Sequence, residues 1–381
     1  MRKLVVLLLI LGLLGCHGMG EDEPPPVPTA LPTEVGTVAE ARAQRLGRGV
    51  NLGNALEAPN EGEWGMVIEA SFFELISDAG FDTVRVPVRW SAHAETQPPF
   101  TVDARFFERV DWVIDQALAH DLNVVINMHH YDEIFVSPDE HADRFVAIWE
   151  QIARRYRDRP DTVYFEPLNE PHDVLDAGTW NTLLSRTVTA LRQIDPVHTL
   201  IVGGDSWNSI AGLKTLAVPE GETNLIATFH YYEPYLFTHQ GAEWGGPEVG
   251  TLGLTWPGPP LEKVEPVPDA KKVEWVRTWF LRYNQNRGAD NPASSEQITR
   301  AFDEALAWSD QHGIPLWLGE FGAYSTADMD SRVRWTATVR EVAEARGIPW
   351  AYWEFGAGFG VYDRDVATWR TSLLDALIPT E

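Results

Sequence analysis

The sequence predicts an α/β protein of the (β/α)8 TIM barrel type, folded as a single domain. Eight short β-rich runs, amphipathic stretches between them and polar residues gathered where the runs end point to it. A length of 381 residues accommodates such a barrel, which needs roughly 250 residues or more. With 44% hydrophobic and 23% charged residues, the composition is that of a globular chain and argues against disorder.

The runs are RGVNLG at 48–53, TVRVPV at 83–88, NVVINMHH at 123–130, VYFEPLNE at 163–170, TLIVGG at 199–204, LIATFHYY at 225–232, PLWLGEFG at 315–322 and WAYWEF at 350–355. Helical spacing of apolar residues predicts helices over 104–120, 139–158, 178–194, 294–312 and 329–346. An open doubly wound sheet is disfavoured because no Gly-rich strand-to-helix fingerprint is present: GAGFG at 356–360 lacks the third glycine and ends the last run. The connection over about 233–293 is long, which places it at the barrel's active face as a cleft wall, with a small helix near 270–285.

Thirty basic against 56 acidic residues give a formal charge of −26, which repels phosphate backbones and excludes nucleic acid as a partner. The excess reads as a solubilising surface, with salt adaptation as the alternative. Sixteen Trp, 16 Phe and 10 Tyr supply flat apolar faces suited both to a core and to sugar rings.

Residues 1–15 have the build of a secretory signal peptide: Arg2 and Lys3, then an apolar run from Leu4 to Leu14 that is too short to span a bilayer. The segment ends in Leu13-Leu14-Gly15-Cys16, which resembles the bacterial lipobox, so Cys16 is expected to be lipidated and to anchor the chain to a bacterial membrane. It is the sole cysteine, so no internal disulfide can form. Residues 16–40, acidic and proline-rich at EDEPPPVP, read as a tether, and 41–381 as the catalytic domain. The expected location is the cell envelope, facing periplasm or exterior, on an outer membrane where the host has one. A monomer is expected.

Polar residues at the C-terminal ends of barrel strands carry the chemistry of this fold. Strands four and seven stand across the barrel, so Glu170 and Glu320 can face each other over a cleft. Two opposed carboxylates are what glycoside cleavage needs: one holds a proton for the leaving oxygen, the other stays ionised to attack the anomeric carbon or activate water. Arg85, charged inside the barrel, is expected to pair with Glu320 and keep it ionised. Tyr232 can donate to the second oxygen of that nucleophile, His230 can orient the acid, and Asn169 can bond a sugar hydroxyl. Glu166, pointing inward below Glu170, reads as a buried partner for Arg85 or a histidine, and Glu354 as structural.

Several motifs resemble glycoside hydrolase family 5 in order: VRVPVRW, INMHHY, FEPLNEPH, FHYYEPYLFTHQGAEW, LGEFGAY and YWEFGAGFGVYD, with an opening GRGVNLGNALEAPNEGEWG similar to its bacterial endoglucanases. The likeness spans nearly the whole chain after residue 46. It implies a retaining endo-β-1,4-glucanase with Glu170 as acid/base and Glu320 as nucleophile. It further implies Arg85, His129, His130, Asn169, His230, Tyr232 and Trp353 around the cleavage point, and Asn54, Glu57, Trp207 and Trp244 lining neighbouring sugar sites. The substrate implied is a β-linked polysaccharide or oligosaccharide, with mannan, mixed-linkage glucan or xyloglucan as alternatives to cellulose. The stretch 251–292 looks longer than in the family.

Two other functions remain open at this point: a surface carbohydrate-binding protein without turnover, and a metal-dependent barrel hydrolase in which His129, His130 and His230 with a glutamate ligate zinc. The paired His-x-His of the latter is absent from the first run, where Asn51 and Asn54 stand. No metal or cofactor is expected, and no Gly-x-Ser-x-Gly elbow suggests a serine hydrolase.

Overall fold

The chain enters the barrel through a helix that closes its floor. The computed structural model describes residues 37–379; the signal-like segment, Cys16 and the tether up to residue 36 lie outside the described residues. Thr37 begins a capping box: its hydroxyl accepts from the Glu40 N–H while the Glu40 carboxylate accepts from the Thr37 N–H. Helix α1 (Val38–Leu46) follows. Residues 37–40, expected to close the tether, form the cap and first turn of this helix.

Eight parallel strands make a closed barrel in sequence order: β1 (Arg48–Asn51), β2 (Thr83–Val86), β3 (Asn123–Asn127), β4 (Val163–Glu166), β5 (Leu200–Gly203), β6 (Leu225–Tyr231), β7 (Leu316–Phe321) and β8 (Trp350–Tyr352). Pairing of β1 with both β2 and β8 seals it. The helices around it are α2 (Ala70–Asp78), α3 (Ala104–Ala119), α4 (Pro138–Tyr156), α5 (Ala177–Ile194), α6 (Glu274–Gln285), α7 (Ser295–His312), α8 (Met329–Glu344) and α9 (Thr371–Leu377). Local chemistry sets their ends. The carboxylates of Asp103, Asp176 and Asp328 accept N–H bonds at the starts of α3, α5 and α8, Pro138 opens α4, and Gly313 closes α7 in the left-handed conformation.

Each expected strand and each of the five expected helices is present. Helices α1, α2 and α9 were not anticipated, and β5 is followed by one short turn of helix, Ile210–Leu213, rather than a full crossover helix. The expected small helix in the long connection is α6.

Side chains fill the barrel in layers. The lower layer is apolar: Val125, Tyr164, Ile201, Ile226, Trp317 and Ala351 from six strands pack with Ala43 and Leu46 of α1. Arg42 of α1 donates to Thr199 Oγ1 at 2.9 Å, to Asp161 Oδ2 at 3.0 Å and to the Val197 carbonyl, which pins the helix across the strand starts. The polar layer therefore rests on a dry floor. Leu46→Ala should lower the unfolding free energy by about 2–5 kcal/mol in urea titrations, whereas Val38→Ala, at an exposed position, should stay within about 0.5 kcal/mol. Equal midpoints for the two variants would remove α1 from the core.

Candidate active site

Above that floor sits one buried cation, and every group around it is arranged to satisfy it. Arg85 on β2 has no solvent exposure. Its Nε and Nη2 donate to the two oxygens of Glu166 at 2.6 and 2.8 Å. Nη1 donates to Glu320 Oε1 at 2.5 Å and to Asn51 Oδ1 at 2.8 Å, and Nη2 also reaches Asn169 Oδ1 at 2.7 Å. These bonds employ all five guanidinium donors. Asn51 is held in turn by the carbonyls of Gly319 and Tyr352, which accept from its amide. The expected pairs of Arg85 with Glu320 and with Glu166 are both formed.

Glu320 reaches the interior through an irregularity in β7. Trp317 points into the barrel while Leu316, Leu318 and Phe321 join the outer core, so strict two-residue alternation would turn Glu320 outward with the leucines. The register against β6 shifts here: Phe229 pairs with Leu318 and His230 with Glu320, leaving Gly319 as an extra residue. This bulge swings the carboxylate inward. Only glycine fits, since a Cβ at Gly319 would stand 2.7 Å from Thr228 Oγ1 and 3.1 Å from His230 Nε2. Tyr232 donates to Glu320 Oε2 at 2.8 Å, the partner expected of it.

Glu170 follows β4 with a left-handed backbone, φ 48°, an uncommon conformation for a residue with a side chain and one that recurs at functional sites. Its carbonyl accepts from His172 Nδ1 at 2.5 Å, and its Oε1 lies 2.7 Å from His230 Nδ1. About a quarter of the side chain (24%) is open to solvent, against 5% for Glu320. Oxygens of Glu170 and Glu320 lie within 4.8 Å of each other.

Burial raises the pKa of Glu170 to about 7, with Arg85 and His172 pulling the other way. Burial also raises Glu320, but His230 and Arg85 act against it and the Tyr232 hydroxyl bonds its anion. With a guanidinium and a phenol in direct contact, Glu320 is the carboxyl that ionises first, and the proton stays on Glu170. Burial lowers His230 to about 4, so the ring beside the acid is neutral.

Aromatic rings rim the centre. The His129 ring is stacked on Trp353 at 5.4 Å and meets His130 edge-on at 4.8 Å, and His130 meets Trp64 at 5.6 Å. On the β4 and β5 side, Trp207 stacks on His172 at 5.2 Å and His172 on Phe135 at 3.9 Å. Ser206, Trp207 and Asn208 are all left-handed, and this turn lifts the Trp207 ring into solvent. Trp244, also exposed, stands edge-on to Tyr324 at 5.0 Å.

Asn54 lies part-buried at the first strand's exit with φ 65°. Glu57 departs from the expectation of a groove-lining residue. It is 1% exposed, its carboxylate accepts the N–H groups of Asn54 and Ala55, and burial raises its pKa to about 8. It shapes the loop from within. Glu354 does the same work after β8, accepting from Gly356, Ala357 and Phe359, as its structural reading required.

Sequence reasoning missed Trp64, His172 and Gly319. The tryptophan and histidine sit in loops with no periodic cue, although HDV after the Asn-Glu-Pro triplet and EWG after the first run were visible. Among the described residues, Glu170, His230 and Glu320 could converge on a cation, but the Arg85 charge touching Glu320 opposes one. His129 and His130 are not part of that group, so the three-histidine zinc set is not assembled.

Comparison with known proteins points to one family. The model of the cellulase family, glycosyl hydrolase family 5, matches residues 47–358. Endoglucanase H of Acetivibrio thermocellus is 33% identical over 341 residues, 88% of this chain and 33% of that protein. Endoglucanase C of the same organism is 26% identical over 332 residues, 83% of this chain and 93% of the relative. The fold is similar to Thermotoga maritima Cel5A solved in complex with cellobiose, at TM-score 0.78 and 45% identity over 89% of this chain and 100% of that one. The same enzyme with mannotriose gives 0.77 and 45%, with the same coverage of both chains. The chain spans a third of Endoglucanase H and about half (52%) of Endoglucanase 3 of Fibrobacter succinogenes.

The bulge yields a direct test. Gly319→Ala should cost about 1–3 kcal/mol by overpacking and, by displacing Glu320 and His230, should slow any reaction that the two carboxyls perform about 10²-fold. A correctly folded alanine variant turning over at the wild-type rate would deny Gly319 this role.

Proposed function

The chain belongs to glycosyl hydrolase family 5, the cellulase family, and from that premise we propose that it is a retaining endo-β-1,4-glucanase. The observation that carries the reading is the approach of Glu170 and Glu320 to within 4.8 Å. Double displacement requires carboxyls roughly 5–5.5 Å apart, whereas inversion needs about 6.5–9.5 Å to admit a water.

In the first step Glu320, ionised and steadied by Arg85 and Tyr232, attacks the anomeric carbon. The bond to the leaving oxygen breaks as Glu170 delivers its proton to that oxygen. The free chain end departs and a glycosyl ester on Glu320 remains. Glu170, now an anion beside neutral His230, takes a proton from water, whose oxygen displaces Glu320 and restores both carboxyls with the anomeric configuration retained. Asn169 has its amide oxygen committed to Arg85, which leaves its NH2 for a sugar hydroxyl. Trp353, Trp207 and Trp244 offer ring faces to neighbouring sugars.

β-Mannan is a second substrate of this reading, favoured by the 45% identity to an enzyme solved with both cellobiose and mannotriose. A non-catalytic binder is disfavoured, since a groove that only binds gains nothing from a protonated acid opposite an ionised nucleophile. The lipobox-like Leu13-Leu14-Gly15-Cys16 supports envelope anchoring. Labelling with a radioactive fatty acid should mark the wild type and spare Cys16→Ala; equal labelling of the two would end the anchor proposal.

Nuclear magnetic resonance of the first products from a soluble β-glucan should detect the β-anomer. Glu170→Gln should lower kcat by about 10²–10⁴, and Glu320→Gln should abolish turnover. The acid form of Glu170 is the active one, so kcat/KM should fall as pH rises through about 7. An initial α-anomer, or undiminished activity in Glu320→Gln, would overturn the mechanism.

A further inference from the structure

The long segment after β6 carries exposed aromatic surface in addition to the rings that rim Glu170 and Glu320. Helix α6 buries Val276, Phe280 and Tyr283 on one face. Trp275 and Trp279, one helical turn apart and about 40° around the axis, lie beside that face, with Trp279 packed partly against the core. Trp275 is 46% exposed, and Trp279 is partly so.

Trp279 stands on a rigid base. Trp279 stacks on Tyr283 with centroids 4.7 Å apart and planes 20° from parallel. The Tyr283 hydroxyl accepts from the Thr255 N–H at 2.9 Å and donates to the Thr255 carbonyl at 2.8 Å. Asn284 bonds both the N–H and the carbonyl of Val264, and Asn291 donates to the Tyr283 carbonyl. Trp279, held on Tyr283, and the exposed Trp275 one turn earlier offer aromatic surface to the CH face of a pyranose at a reduced ordering cost.

Charge selects the kind of ligand. Three of the chain's five lysines fall in this segment, which would suit an anionic surface if they were free. They are engaged instead: Lys263 and Lys271 with Glu265, Lys272 with Asp269, and Arg277 with Glu274. Six basic and five acidic residues over 261–291 leave the segment nearly uncharged within a chain of charge −26, so the face suits an uncharged polymer rather than a lipid headgroup or acidic glycan. The segment is also continuous with the groove, because the Gln240 side chain bonds the N–H and carbonyl of Leu254 and ties it to the loop that presents Trp244.

We propose that Trp275 and Trp279 on helix α6 form a second, non-catalytic platform for a neutral β-linked glucan chain. The proposal rests on the glucanase reading. The platform keeps the enzyme on its polymer between cuts by raising the local concentration of chain at the groove.

The test uses the full chain and the variants Trp275→Ala/Trp279→Ala and Trp275→Phe/Trp279→Phe. Retention on insoluble β-1,4-glucan and in gels containing soluble β-glucan is measured beside hydrolysis of a short soluble cello-oligosaccharide. The alanine variant should bind the polymer about tenfold more weakly, equivalent to about 1.4 kcal/mol. Its oligosaccharide hydrolysis should stay at the wild-type rate, which also reports correct folding, and the phenylalanine variant should keep most of the retention. Unchanged retention in the alanine variant overturns the platform, as does loss of binding to phosphatidylglycerol vesicles with glucan retention intact. A wild type that does not hydrolyse the oligosaccharide sinks the glucanase reading itself, an outcome separate from these.

Discussion

The Arg85 guanidinium lies in the barrel with no access to water, and its charge can be held there only by full hydrogen bonding and opposite charge. Both requirements are met by residues from different strands: Asn51 from β1, Glu166 from β4 and Glu320 from β7, with Asn169 just beyond β4. One positive charge against two touching carboxylates leaves the cluster with an anionic excess before Glu170 is counted. A further negative charge within 4.8 Å is therefore disfavoured. The division of labour between the two glutamates follows from this charge balance: the carboxyl in contact with the guanidinium is the anion, and the one bonded to a neutral imidazole keeps its proton.

The rest of the barrel serves that cluster. Apolar side chains below it, sealed by α1, keep water from the strand starts. The βα loops above carry rings whose orientation is set by stacking on one another, as in Trp353 on His129 and Trp207 on His172 on Phe135. Rigid below and aromatic above, the arrangement leaves the reacting carboxyls at the boundary between a dry interior and an open groove, where burial acts most strongly on Glu170.

Strands and long helices were legible because each combines a clear period with a clear stop: the stretch 104–120 is α3 to within a residue, ending before His120, and the eight β-rich runs all pair. Helix α1 was hidden because its short pattern abuts an acidic, proline-rich stretch, and the missing helix after β5 because Gly, Ser and Asn there favour turns. The contacts of Arg85, Tyr232 and His230 with the two glutamates could be anticipated from strand ends and charge. The inward turn of Glu320 could not be read from alternation, since LWLGEF looks like an unbroken strand and only pairing with β6 reveals the extra residue. Glu57 misled for the opposite reason. The family resemblance implied a sugar contact for it, but two backbone N–H groups nearby hold its carboxylate.

Because α1 spans the ends where the strands begin, with Arg42 fastened to residues just ahead of β4 and β5, the polypeptide joins the barrel at the pole remote from the catalytic mouth. A bead linker attached at Thr37 itself is thus on the far side from the entrance. Immobilisation through that end leaves the paired carboxyls facing the bulk solution.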